Sequence, residues 1–163
     1  MSTSLTLRPE QPADESFVYQ LFAETRFADV VRLPWDRAQK EAFLHQQFQL
    51  QTAHYQTYYP TAAFSIIQLG LHRIGRLYVN RTNNEIRVID ITLSPEYRCR
   101  GIGHGLLQDL LSEAKATGKA VRLHVERWNP ALRLYHRLGF CEIQDEGVYL
   151  EMEWRAARET ATP

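Results

Sequence analysis

The sequence lacks long apolar runs, lacks an excess of charge of either sign, and contains only two cysteines. No segment approaches the roughly 18 consecutive apolar residues that can span a membrane. The 19 basic residues balance 19 acidic residues, whereas proteins that bind nucleic acid usually carry a basic excess. We therefore expect neither a membrane nor a nucleic acid as a partner.

Signals for secretion, disulfide bonding and metal binding are also missing. Residues 1–5 contain no basic region followed by an apolar run, which a signal peptide would have. The spacing of Cys99 and Cys141 matches neither a metal site nor a disulfide framework. We therefore expect a cytoplasmic protein with free thiols and no bound metal.

Length and composition fit one globular domain. The chain has 163 residues, of which 44% are hydrophobic and 23% are charged, and this suffices to bury a core. No internal repeat or linker divides the sequence. We assign residues 1–155 to a single domain and expect the small, polar segment 156–163 to be a disordered tail.

The order of helical and strand-like segments predicts a mixed α/β fold. Strands rich in β-branched and aromatic residues are predicted at 3–8, 64–69, 74–80, 85–93, 121–125, 140–144 and 148–154. Helices are predicted to begin at Asp14, Asp36, Gly101 and Asn129, and glycines are expected to end two of them, at Gly118 and Gly139. These elements predict about six to seven mostly antiparallel strands flanked by about four helices.

The segment Arg98–Gly105, between a strand and a leucine-rich helix, has the composition of a phosphate site. Three glycines in five residues cost conformational entropy at the start of a helix, and this cost makes sense if backbone N–H groups must approach a ligand. Helix N-termini attract anions through their free N–H groups and positive dipole end. Arg98 and Arg100 add two positive charges. The segment therefore predicts a site for a diphosphate group.

Three alternatives for this segment fit less well. A flexible glycine hinge with two solvated arginines does not explain the order strand, arginines, glycines, helix. A P-loop requires Gly-Lys-Ser/Thr, but Gly103 and Gly105 are followed by His104 and Leu106. A dinucleotide fingerprint requires a glycine where Leu106 stands, and its glycines follow the strand directly.

The order Arg98-Cys99-Arg100-Gly101-Ile102-Gly103 resembles the Arg/Gln-x-x-Gly-x-Gly/Ala signature of the GNAT superfamily of N-acetyltransferases. The segment Asn129–Phe140, with its Asn…Tyr…Gly-Phe pattern, is similar to the second hallmark of that family. Cys99 stands where many members have glycine, a departure that leaves the phosphate contacts intact. The resemblance runs from about Leu5 onward and is weak in residues 14–59. It implies a single domain whose twisted sheet splays between its fourth and fifth strands.

The resemblance also implies a reaction, the direct transfer of an acetyl group from acetyl-CoA to a primary amine. The backbone around Ile91–Leu93 would stabilise the thioester carbonyl and bond the pantetheine arm. Tyr135 would protonate the leaving thiolate, since a phenol with a pKa of about 10, above the value of about 8.5 for a thiol, still carries its proton at neutral pH. The implied cofactor-binding residues are Ile91, Thr92, Leu93, Arg98, Cys99, Arg100, Gly101, Ile102, Gly103, His104, Gly105, Asn129 and Tyr135.

The general base has several candidates. Asp90 interrupts an apolar strand, so its carboxyl group is a candidate for partial burial and a raised pKa. His124 occupies the fifth-strand position where some family members carry a catalytic glutamate. Glu85 and Glu126 are further candidates, although Glu85 is expected to be solvated beside a turn.

Other readings of function stay open at the sequence level. The same fold could hold CoA as a binding module or sensor without transferring the acetyl group. An enzyme that acetylates a charged tRNA is disfavoured by the zero net charge. The sequence identifies neither the acceptor amine nor the length of the acyl group, and dimerisation, which is common in the family, has no sequence feature that decides it.

Overall fold

A computed structural model describes residues 4–157 of the chain and shows a seven-stranded sheet with four α-helices. In chain order the elements are β1 (Leu5–Pro9), α1 (Glu15–Val31), α2 (Arg37–Tyr58), β2 (Ala63–Leu69), β3 (His72–Arg81), β4 (Glu85–Leu93), α3 (Ile102–Thr117), β5 (Ala120–Glu126), α4 (Leu132–Leu138), β6 (Cys141–Asp145) and β7 (Tyr149–Trp154). The strands follow the order β1-β2-β3-β4-β5-β7-β6. This confirms the predicted mixed α/β fold. Most of the predicted tail, residues 158–163, lies outside the described residues.

Contacts within the chain define two compact units. Unit 1 consists of Met1–Leu77 and Thr92–Pro95, and unit 2 consists of Tyr78–Ile91 and Glu96–Pro163. Two of the three boundaries fall inside strands β3 and β4, and the third falls in the short helical turn Pro95–Tyr97. The assignment of residues 1–155 to one domain stays a prediction. Among residues 4–157, no helix is long and apolar enough to cross a membrane.

Unit 1 is built around the aromatic faces of α1 and α2. Val18, Phe22, Phe48 and Ile66 form a buried cluster, in which the rings of Phe22 and Phe48 lie 5.5 Å apart. Apolar residues three and four apart place the buried face of α1 on this cluster. Asp36 begins α2 as predicted, because its carboxylate accepts a hydrogen bond from the Gln39 N–H at 2.8 Å.

Asp14 does not cap α1 with its side chain, although it occupies the predicted position. Its buried carboxylate accepts two hydrogen bonds from Arg8, at 2.7 and 2.8 Å, and one from the Gln11 N–H at 2.8 Å. Arg73 of β3 donates a further bond at 3.3 Å. The Arg8 guanidinium holds the pKa of Asp14 well below its usual range, against the opposing effect of burial. The carboxylate therefore links β1, the turn before α1 and β3, and its bond from the Gln11 N–H caps the Pro12–Asp14 turn and not α1.

Unit 2 is organised by α3 and the parallel pairing of β4 with β5. The predicted leucine stripe of α3 is buried, and Gly118 ends the helix with a left-handed φ of 70°, as predicted. A helix between two strands is the usual connection for parallel neighbours. On the other side of β5, β7 pairs antiparallel, and β6 then pairs with β7.

The helix predicted to begin at Asn129 begins later, at Leu132. The side-chain oxygen of Asn129 accepts a hydrogen bond from the Ala131 N–H at 2.9 Å, which forms a turn before the helix. Asn129 and Pro130 therefore shape a turn and not a first helical turn. Gly139 ends α4 with a φ of 99°, as predicted.

Candidate active site

The Arg98–Gly105 segment connects a single helical turn, Pro95–Tyr97, to α3. Gly101, immediately before the helix, has a φ of 82°, and Ile102 after it is already helical. A left-handed residue followed by a right-handed one turns successive N–H groups toward one side, which forms a concave site for anions. The backbone of the segment is therefore compatible with the predicted phosphate site.

The first turn of α3 supplies the hydrogen-bond donors of this concave site. The first main-chain bond of the helix runs from the Gly105 N–H to the Gly101 oxygen, at 3.0 Å, so the N–H groups of Gly101–His104 precede the helical ladder. Arg98 and Arg100 are exposed beside this turn, and the Arg100 guanidinium lies 5.6 Å from the centre of the Tyr97 ring. Backbone donors, a helix dipole and two cations together fit a diphosphate.

Cys99 has a left-handed backbone, with a φ of 60°. An L-residue in this region pays about 1–2 kcal/mol because its β-carbon crowds the backbone, whereas glycine does not. This conformation explains in physical terms why glycine is common at this position in the family that the sequence resembles. Cysteine therefore makes this left-handed conformation energetically less favourable than glycine would.

The parallel pairing of β4 with β5 ends before either strand does. Within the described residues, the register runs from Glu85–Ala120 to Val88–Leu123, while β4 continues to Leu93 and β5 to Glu126. The predicted cofactor contacts of β4, Ile91–Leu93, all lie beyond the last of these pairs. The pairing between the fourth and fifth strands therefore ends in the region where the resemblance implied a splay.

Asp90 and Tyr135 of unit 2 interact electrostatically. Tyr135 is 6% exposed, and its ring packs edge-on against Phe140 at 5.6 Å. Burial, and then the nearby charge of Asp90, raise the pKa of Tyr135 to about 12. The phenol consequently keeps its proton throughout the neutral range, which a proton donor requires.

His124 lies on the opposite face of the sheet from Asp90. Side chains alternate along a strand, and paired residues of neighbouring strands share a face. Val88 and Leu123 are paired and buried, so Asp90, two residues after Val88, shares their face, whereas His124 follows Leu123 and points the other way. The structure therefore places His124 on the opposite face of the sheet from Asp90, whose charge acts on Tyr135.

An ionic network surrounds His124 on its own face. Arg87 donates to Nδ1 of His124 at 3.3 Å and to Glu151 at 3.1 Å. Glu85, which was expected to be solvated, is instead paired with Arg87 and Arg122 at 3.3 Å each, and its side chain is 18% exposed. This network was not predicted from the sequence. The pattern that could have indicated it is the placement of charged or titratable residues two positions apart along β4, β5 and β7.

Three side chains of this network could offer ligands to a metal ion, and their chemistry argues against that use. His124, Glu146 and Glu151 place one ligand atom each within 4.8 Å of one another. The Arg87 guanidinium bonds both His124, at 3.3 Å, and Glu151, at 3.1 Å. Its positive charge would repel a metal cation at this place.

The seven-stranded fold, the end of β4–β5 pairing and the left-handed turn before α3 together are typical of a GNAT-type acetyltransferase architecture. Residues 19–140, more than half of the chain, match the sequence profile of the acetyltransferase (GNAT) family. The chain belongs to this family.

Solved structures of similar fold include acetyltransferases with CoA bound. The PaiA N-acetyltransferase of Thermoplasma acidophilum, in complex with coenzyme A, is 19% identical, with 94% of this chain and 99% of that chain covered and a TM-score of 0.67. The spermidine N-acetyltransferase of Vibrio cholerae, with CoA and spermine, is 18% identical, with coverage of 93% and 95% and a TM-score of 0.61. YncA of Salmonella typhimurium, with acetyl-CoA, is 18% identical, with coverage of 99% and 99% and a TM-score of 0.55.

Proposed function

We propose that this protein transfers the acetyl group of acetyl-CoA directly to the nitrogen of a primary amine. The observation that carries the proposal is the anion site before α3, in which the N–H groups of Gly101–His104 lie beside Arg98 and Arg100. A diphosphate fits this donor set. Membership of the GNAT family supports acyl transfer as the reaction.

The residues that we propose for cofactor binding divide into three groups. The Arg98–Gly105 segment, including Cys99, Ile102, Gly103 and His104, would bind the pyrophosphate. The backbone of Ile91–Leu93, beyond the last β4–β5 pair, would bond the amides of the pantetheine arm as a neighbouring strand does. Asn129, which shapes the turn before α4, would contact the same arm.

Acetyl-CoA supplies an acetyl group already activated as a thioester, so that the amine nitrogen bonds the acetyl carbon while the carbon–sulfur bond breaks. Tyr135 would donate its Oη proton toward the sulfur. With a pKa of about 12, the phenol is a weaker acid than a thiol with a pKa of about 8.5 by roughly 3.5 units, or about 5 kcal/mol. Transfer of the phenol proton to the thiolate is therefore uphill by this amount, so Tyr135 would stabilise the departing thiolate mainly through a hydrogen bond from Oη, while the proton released by the amine goes to the base.

We propose Asp90 as the base, which is supported by the effect of its charge on Tyr135. A carboxylate there would accept the proton that the attacking amine releases. His124 is the weaker candidate, since its Nδ1 accepts the Arg87 bond and its side chain points to the other face of the sheet. Replacement of Asp90 by Asn should therefore reduce kcat more than replacement of His124 by Gln.

Binding of acetyl-CoA, read as a rise in melting temperature, is the direct test of the proposal. The wild type should be stabilised at millimolar acetyl-CoA, and Arg100→Ala or Gly103→Val should abolish the shift. Arg37→Ala is a matched control, because Arg37 is an arginine whose side chain is 92% exposed on α2, in unit 1. Absence of any shift in the wild type would overturn the proposal.

Release of free thiol in the presence of an amine panel separates transfer from simple binding. Polyamines belong in the panel because a structural neighbour, the spermidine N-acetyltransferase, was solved with spermine. Peptide N-termini, lysine side chains and small amines complete it. Stabilisation by acetyl-CoA without thiol release for any amine would favour the alternative, a CoA-binding sensor of the same fold.

A further inference from the structure

Gly75 of β3 occupies a place that no other residue type could fill without moving β4. A β-carbon added to Gly75 would lie 2.3 Å from the Thr92 oxygen and 3.1 Å from the Leu93 α-carbon. Real β-carbons essentially never approach a backbone atom within 3.0 Å. A β-carbon at Gly101 or Gly105 would meet nothing within 4 Å. The space above Gly75 is therefore taken by the main chain of β4 itself.

A hydrogen bond at Ser94, directly after the last residue of β4, also holds this part of β4 against β3. The Ser94 N–H donates to the Ile74 oxygen at 2.8 Å. Ile74 immediately precedes Gly75, and Ser94 immediately follows Leu93. The Thr92–Leu93 peptide is therefore held between a bond at Ser94 and a close backbone approach at Gly75.

We infer that Gly75 is a positioning residue for the acyl-CoA, acting through the Thr92–Leu93 peptide. This inference rests on the proposed function, in which the backbone of Ile91–Leu93 bonds the amides of the pantetheine arm. Hydrogen bonds to extended amides require donor and acceptor positions accurate to about 0.5 Å. The absence of a side chain at Gly75 allows the Thr92–Leu93 peptide to lie where it does, because any β-carbon at Gly75 would displace that peptide.

The size of the displacement follows from the contact distances. In Gly75→Ala, the Thr92 oxygen must move by at least about 0.7 Å to bring 2.3 Å up to 3.0 Å. A misplacement of about 1 Å can cost about 100-fold in activity. We expect Gly75→Ala to bind CoA about 10- to 100-fold more weakly than the wild type.

The experiment compares two ligands, CoA and phosphoadenosine diphosphate, which is the half of CoA without the pantetheine arm. Displacement of Thr92–Leu93 should weaken CoA binding and leave the binding of the nucleotide half within about twofold of the wild type. Partial unfolding would weaken both ligands equally. Ile66→Ala, on β2, removes a fully buried side chain and serves as the control for lost stability, because β2 does not neighbour β4.

Ser94→Pro tests the same peptide without adding an atom at Gly75, and it covers the case in which Gly75→Ala does not fold. It removes the N–H that donates to Ile74, and the same selective loss of CoA affinity is expected. An unchanged ratio of CoA to nucleotide affinity in a folded variant would overturn the inference. Failure of CoA to bind the wild type would instead overturn the proposed function.

Discussion

Adding one methyl group at either of two glycines of the Arg98–Gly105 segment should change stability in opposite directions. Gly101 and Gly105 are four residues apart, and a β-carbon at either would meet nothing within 4 Å. Steric clashes therefore do not contribute to the change in stability caused by Gly101→Ala or Gly105→Ala. The two positions differ in backbone conformation, since Gly101 has a φ of 82° and Gly105 lies inside α3.

The expected magnitudes follow from that difference. Gly105→Ala gains about 0.8–1.0 kcal/mol, because alanine is the better helix former. Gly101→Ala loses about 1–2 kcal/mol of conformational energy, which a gain of about 0.4–1 kcal/mol from the stiffer unfolded chain offsets in part. The two variants should differ by about 2 kcal/mol, or about 4–8 °C in melting temperature for a domain of this size.

Calorimetry or urea unfolding of both variants without ligand measures this difference. Gly118→Ala is the matched control, because Gly118 also has a positive φ, 70°, and open surroundings at the other end of α3. It should lose as much stability as Gly101→Ala, yet leave the acetyl-CoA shift intact. If Gly101→Ala and Gly105→Ala moved stability in the same direction, the left-handed path before α3 would be refuted.

Three further substitutions test other parts of the structure. Asp14→Asn should cost about 2–3 kcal/mol in urea unfolding, somewhat below the value for wholly buried pairs because Arg8 is 29% exposed; a loss under about 0.5 kcal/mol would contradict the network. Because the pKa of Asp14 is lowered on folding, the stabilisation that its carboxylate provides is complete above about pH 5 and falls as the pH drops below about 4. The free energy of unfolding of Asp14→Asn should therefore change less with pH in this acid range than that of the wild type. Tyr135→Phe should keep the acetyl-CoA shift but lose about 100- to 10,000-fold in kcat, and full turnover would remove the phenol from the mechanism. Cys99→Gly should raise the melting temperature by about 1–3 °C by relieving a φ of 60°, whereas a lower value would show that the thiol makes a stabilising contact.

The features that the sequence predicted well are those set by neighbours along the chain. The start of α2 at Asp36 depends on a residue three positions away, and the end of α3 at Gly118 depends on one backbone angle. The start of α3 directly after Gly101 is likewise local, because it depends on the positive φ of that glycine and on the residues that follow. Such signals can be read from a short window of sequence.

The features that it predicted poorly depend on partners far along the chain. The Asp14 side chain was expected to cap a helix, but Arg8 and Arg73 provide bonds stronger than those of a cap. The separation of Asp90 from His124 follows from the register of β4 against β5, and no local pattern fixes a register between strands. The role of Gly75 could not be predicted for the same reason, since the atom that a β-carbon there would meet is a backbone oxygen on another strand.

The shortness of α4 has a consequence for how the protein responds to heat. A helix of seven residues is too short to be stable alone, so Tyr135 keeps its position through packing against Phe140 and through the turns at either end of α4. The longer α3, with its buried leucine stripe, holds the anion site without that help. On warming, α4 should therefore loosen first. Turnover would then fall at a temperature where acetyl-CoA still binds. The stability of one short helix would therefore set the temperature optimum of the enzyme, whereas the stability of the whole fold sets its melting temperature.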